Sequence, residues 1–292
     1  MLIKRLKRSA RRFFLNLPTR SKYKFILRDW IELSDLQACS KVLETKRFSR
    51  NIQPVELAKP FSQDIIVLAP HPDDDILGGG GTLLKAKDAG GSVTVVYFTN
   101  GSNDRSRAEK IKKESKSVCD LAGFSYTFLD FPAGQIPLSS PKLEHALDEI
   151  FSRAGTEIAL FLPFFLADHD DHRRISQVIR ESKMLTARAT KIEIWAYQVY
   201  STVLPNVIVD ITKKVDHKCE LLNVWKHVSG NRDWGHYIRG LNAANCRFMK
   251  QCGEVFGETF FVLPFRDYTT LANIYFEKAA DKAYYGSHYR TL

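Results

Sequence analysis

From Asp64 onward, short apolar runs rich in β-branched and aromatic residues alternate with stretches of helical periodicity, which leaves few folds open. Asp64-Ile-Ile-Val-Leu-Ala69, bounded by proline and glycines, reads as a buried strand. Further strands are predicted over 93–98, 126–131, 158–162 and 192–197, with helices over 82–89, 106–122, 141–151 and 172–184 between them. Gly123 stands where a helix ending in a left-handed residue needs it. Parallel strands require such crossovers, so the class is α/β: a Rossmann-like, mostly parallel sheet with helices on both faces. After Pro205 the pattern continues with a strand over 207–211, a helix over 215–227, a helix-like stretch over 236–252 and a strand over 259–263. Three zones result: a basic helical extension over 1–59, a main domain over 60–265, and a Tyr-rich tail over 266–292 expected to pack on that domain.

Two polar clusters sit directly after predicted strands. In a parallel sheet ligands bind beyond the carboxyl ends of the strands, so both clusters fall on the edge where chemistry is expected. The first is Pro70-His71-Pro72-Asp73-Asp74-Asp75. Its spacing lets His71 and Asp74 reach one ion while Asp73 stays free beside it, and imidazole with carboxylate suits Zn²⁺ or Fe²⁺. The second is His169-Asp170-Asp171-His172, opening a helix, where two imidazoles three residues apart share one face. One can ligate while the other projects into the same cavity. Three protein ligands with an open position is the pattern of a catalytic metal, not a structural one. Either cluster alone also resembles a helix cap in a solvated loop; their placement after two strands of one sheet favours a shared site.

Gly78-Gly79-Gly80-Gly81 invites comparison with a phosphate loop, but three aspartates just upstream would repel a pyrophosphate and no Lys-Ser/Thr follows. The second strand ends Phe98-Thr99-Asn100, without the acidic residue that would hold a ribose. Close helix–sheet packing, and a tight approach to the metal, are what these glycines serve.

The net charge of +10 belongs to the N-terminus: residues 1–60 carry 15 Lys/Arg against 5 Asp/Glu, and the remainder is balanced. Residues 1–28 combine ten of those positive charges with an apolar stripe at helical spacing, which suits an anionic membrane surface; no nucleic-acid motif accompanies it. No run approaches the ~20 apolar residues of a membrane span, and the start is a poor secretory signal. Five scattered cysteines without a C-x-x-C pair argue against a disulfide framework, so a cytoplasmic location, with peripheral contact at the inner face of the membrane, is expected.

The strand with Pro-His-Pro-Asp-Asp, the glycine-rich helix, Thr99-Asn100-Gly101 and the late His-x-x-His together resemble the PIG-L/LmbE-type N-acetylglucosaminyl deacetylases, over roughly residues 62–265. Glu114, Asp130-Phe131-Pro132-x-Gly134, Val209-Asp210-Ile211-Thr212 leading to Lys218, and Gly257-Glu258-Thr259-Phe260 match as well. The resemblance implies one zinc or ferrous ion and removal of an N-acetyl group from a glucosamine-type sugar in a glycoconjugate, lipid-linked or cell-envelope glycan. It further implies His71, Asp74 and His172 as metal ligands, Asp73 as general base, and His169 as the group that meets the oxyanion or protonates the leaving amine. Asp75 stands where the family has Glu, Ala133 where many relatives have Asp, and Ala167 where some have tyrosine. A related amidase acting on a non-sugar amide, and a catalytically inactive glycan- or nucleotide-binding module on the same fold, are the alternatives.

Overall fold

A computed structural model describes residues 54–279 except 168, 201, 202, 231 and 252. The basic extension up to residue 53, including the amphipathic stretch over 1–28, lies outside the described residues, as does the tail beyond 279.

Strand β1 (Val55–Leu57) is followed by β2 (Asp64–Ala69), α1 (Asp74–Asp88), β3 (Ser92–Thr99), α2 (Arg105–Ala122), β4 (Ser125–Phe131) and α3 (Pro141–Arg153). Then come β5 (Ile158–Pro163), α4 (Asp170–Glu181), the short α5 (Lys183–Ala187) and β6 (Ile192–Tyr197). The chain continues through β7 (Val207–Asp210), α6 (Val215–Leu222), α7 (Lys226–Ser229), α8 (Trp234–Asn245), β8 (Gly257–Pro264) and α9 (Phe265–Ala279). The eight strands form one sheet in the order β1-β7-β8-β6-β5-β2-β3-β4. Strand β8 runs antiparallel to both of its neighbours, and every other pairing is parallel. The sheet is therefore mixed but mostly parallel, as the alternation predicts.

Residue parity divides the two faces of the sheet. Ile65, Val67 and Ala69 of β2, Phe161 of β5, Trp195 and Tyr197 of β6, and Phe260 and Val262 of β8 join one buried core with residues of α1, α2 and α6. Their alternates, including Ile66, Leu68, Leu160 and Phe261, are equally buried but point to the other face. There the Ser176 hydroxyl of α4 and the Tyr268 hydroxyl of α9 lie 2.8 Å apart.

The main departure from the sequence reading is at α1. The glycines suggest a helix starting near Thr82, whereas the helix begins at Asp74 and runs through all four. Packing overrides propensity there. A Cβ on Gly78 would come within 2.1 Å of the Tyr197 ring, and one on Gly81 within 2.7 Å of Ile211. The missing side chains let α1 sit down onto the sheet. The predicted 172–184 and 215–227 helices are each broken in two, at Ser182 and over 223–225. The unassigned segment after 265 is helix α9, in which Tyr268 is fully buried. Val55–Leu57, read from sequence as part of the basic extension, is an edge strand paired with β7.

A buried ion pair locks α1 in place. Glu258 of β8 accepts from the Gly81 amide at 2.8 Å and from the Thr82 amide and hydroxyl at 2.7 and 2.6 Å. Lys218 of α6, also fully buried, donates to Glu258 at 2.6 Å and to the Leu77 carbonyl at 3.0 Å. Lys218 and Glu258, noted at first only as matches to a family pattern, thus connect two strand–helix layers through the helix that begins at the polar cluster.

Candidate metal centre and active site

Strands β2 and β5 are neighbours, yet the chain leaves β2 toward β3 and β4 and leaves β5 toward β6, in opposite directions across the sheet. A crevice opens at such a switch point beyond the strand ends. The two sequence clusters follow these two strands. The loop after β3 supports the first of them: the Thr99 amide donates to the Pro70 carbonyl at 3.0 Å. At φ +74°, Gly101 lies so near Pro72 that a Cβ would meet its ring at 3.2 Å.

The structure brings His71, His169 and His172 together, with one donor nitrogen of each within 4.8 Å of the others. Asp74 enters the same space. Its Oδ2 accepts from the His71 amide at 2.9 Å and lies 3.2 Å from His71 Nδ1 and 3.3 Å from His172 Nε2. The last contact has ion-pair distance without hydrogen-bond geometry, for both ring nitrogens of His172 lack a partner. Asp74 Oδ1 and Asp75 Oδ1 are also buried without partners. Native folds rarely leave so many buried polar atoms unpaired in one place. Asp73, Asp74 and Asp75 are at most 3% exposed, so three carboxylates crowd a water-poor helix start. The dipole at the helix N-terminus offsets part of that charge; a divalent cation would offset the rest and take up the idle nitrogens. The residues fit a divalent cation: His71, His169 and His172 could hold one between them, and Asp74 Oδ2 lies within 3.3 Å of two of those rings.

Asp171 is the residue whose role the sequence reading missed. Its Oδ2 accepts from His71 Nε2 at 2.9 Å and from the Gly134 amide at 2.8 Å. A ligating imidazole is commonly oriented by such a carboxylate, which holds the proton on the far nitrogen. Here Nε2–H of His71 faces Asp171 and Nδ1 faces Asp74. The Gly134 amide is brought in by a bulge in β4, where the register with β3 shifts between Tyr97 and Thr99 and Asp130 takes a left-handed φ of 54°. Lys112 holds the Asp130 carboxylate at 2.7 and 2.8 Å. The match at Asp130-Phe131-Pro132-x-Gly134 thus acts through backbone shape. Glu114 is likewise structural: its carboxylate accepts from the amides of Lys226 and His227 at 3.1 Å, capping α7.

Asp73 is the helix N-cap, but its side chain makes no capping bond and its φ is 103°. A non-glycine residue held there costs free energy, and such strain clusters at functional sites. Burial and then Asp74, partly offset by His71, raise its carboxyl well above the ordinary carboxylate range. Burial opposes the charged forms of Asp74 and His71 too, but their mutual contacts with His172 and Asp171 win: Asp74 is held low, and His71 is pushed up to about 10. Burial raises Asp75 to about 7 even though the Tyr97 hydroxyl donates to it at 2.9 Å. His169, at the mouth, is lowered by partial burial and by the neighbouring His71 and His172. Its Nδ1 accepts from the Asp171 amide at 3.2 Å, so the neutral ring carries its proton on Nε2.

Residues 66–183 match the family model for PIG-L, described as GlcNAc-PI de-N-acetylase. That match covers less than half of the chain. The diacetylchitobiose deacetylase of Thermococcus kodakarensis is 25% identical over 189 residues, covering 56% of this chain and 70% of that one. A glucosamine-6-phosphate deaminase-like protein of Bacteroides thetaiotaomicron is 40% identical over 47 residues, which is 16% of this chain and 7% of that much longer protein. The solved N,N'-diacetylchitobiose deacetylase of Pyrococcus horikoshii shares the fold, with a TM-score of 0.59 at 23% identity over 80% of this chain and 94% of that one. Among the described residues, no helix is long and apolar enough to cross a membrane.

Proposed function

We propose that this PIG-L-type chain is a metal-dependent hydrolase that removes the N-acetyl group from an amino sugar, with zinc or ferrous iron at His71, Asp74 and His172. The observation that carries the reading is the set of unpartnered buried donors on Asp74 and His172, at the switch point of the sheet, beside an uncapped and strained Asp73. An amide resists hydrolysis until its carbonyl is polarised and a water activated; a bound divalent cation supplies both, lowering the pKa of water to about 7.

The chain's own groups do the rest. Asp73 has a carboxyl whose affinity for a proton is raised by burial and no competing cap bond, so it can accept the water's proton, a role that contributes roughly 10²–10⁴-fold. Neutral His169 offers Nε2–H to the oxygen on which negative charge develops, and the proton that Asp73 took from the water is the one returned to the departing amine. Asp171 keeps His71 in one tautomer throughout.

The test is acetate release from a panel of N-acetylglucosamine glycosides, nucleotide-linked and lipid-linked, against N-acetylated amines without a sugar ring. The expected result is chelator-sensitive release from sugars in the wild type and none from His172→Ala. Release from the ringless amides alone would favour the non-sugar amidase alternative.

A further inference from the structure

One wall of the site is aromatic, and hydrolysis as described makes no use of it. Tyr200 follows β6 at the same edge as the histidines, its ring nearly parallel to that of His172, with centroids 5.8 Å apart at 18°. Trp234, at the start of α8, lies 5.8 Å beyond Tyr200 at 35°, and Tyr237 meets Trp234 edge-on at 5.6 Å. The Tyr237 hydroxyl donates to the Val199 carbonyl at 2.9 Å, tying α8 to the segment that bears Tyr200. The Arg232 guanidinium sits over Trp234, 5.6 Å from its ring centre.

Two features distinguish this wall from ordinary packing. Tyr200 is 39% exposed, although it lies against a histidine that is 1% exposed. Trp234 Nε1 is buried with no acceptor, whereas a packed indole normally finds one.

We propose that Tyr200 and Trp234 form the stacking face for a pyranose ring, holding it one ring-width from His172. One face of a pyranose presents several C–H groups of slight positive charge, which suit the negative face of an aromatic ring. Its ring-edge hydroxyls are acceptors of the kind that the indole N–H lacks. A ringless acetamide offers neither. The wall thereby selects sugars over other amides, and this deepens the hydrolase reading and rests on it for the reaction.

The experiment titrates methyl N-acetyl-β-glucosaminide into the metal-loaded full chain and reads tryptophan fluorescence, alongside steady-state acetate release. A saturable quench is expected in the wild type and is expected to vanish in Trp234→Phe. Trp234→Ala and Tyr200→Ala should each raise KM roughly tenfold with a much smaller change in kcat, and Trp234→Phe should recover much of the KM because it keeps an aromatic face. Acetate release with no quench, and a KM that Trp234→Ala leaves alone, overturns the stacking face while the hydrolase reading stands. A Trp234-dependent quench without acetate release from any sugar supports the face and defeats the hydrolase reading.

Discussion

Asp73→Asn will retain the metal and lose acetate release by roughly 10²–10⁴-fold, the usual contribution of a general base. Asparagine is the sharper substitution because it keeps the side-chain shape and tolerates the left-handed φ of 103° better than most residues. It removes only the ability to take a proton. Thermal stability should hold or rise, since a fully buried acid crowded by Asp74 is replaced with a neutral amide. Steady-state acetate release, metal content and a melting curve on the same sample check this. Loss of metal together with activity would instead make Asp73 a ligand, and undiminished turnover would remove it from the chemistry.

The largest effect on stability is expected at Lys218, which makes three buried contacts, to Glu258, Leu77 and Asn242. Lys218→Ala leaves the Glu258 carboxylate buried against the Gly81 and Thr82 amides with its counter-charge gone, which should cost about 3–5 kcal/mol. The double variant Lys218→Met, Glu258→Gln should recover only part of that loss: the unpaired charge is gone and the glutamine oxygen can still accept from the Thr82 amide, but its NH2 then faces the Gly81 amide, which the second carboxylate oxygen had accepted from. Denaturant midpoints on the single and double variants measure the difference. Because the clamp grips α1 one to two turns beyond Asp74, the single variant should also loosen the metal site; equal stability of the single variant and wild type would show that the pair is dispensable.

How much of this was legible beforehand follows from how local each signal is. Strands β2 and β6 are readable residue for residue because burial on both faces leaves nearly continuous apolar runs that prolines, glycines or polar residues bound. His71, Asp73, Asp74, His169 and His172 are legible as chemistry because each pair of neighbours lies within one turn of chain, after a strand. Asp171 was not, since its partner His71 is a hundred residues away and an acid between two histidines looks like helix capping. The start of α1 was hidden for the opposite reason: four glycines argue locally against a helix, and only contact with Tyr197 and Ile211 makes them the residues that fit. Tyr200 and Trp234 carry no sequence pattern at all, because the segment after β6 and the start of helix α8 bring them together.

The central claim is that a single divalent cation is held between the two clusters, and calorimetric titration of Zn²⁺ into the metal-free chain at pH 7, in two buffers of different ionisation enthalpy, tests it most directly. His71 at about 10 is an imidazolium at that pH, and ligation must expel its proton. Apparent affinity should therefore climb as pH rises toward about 10, the side on which that proton is already lost. The account predicts one tight site per chain, release of about one proton on binding, and no tight site in His172→Ala. Undiminished binding in His172→Ala, or binding with no proton released, would contradict it.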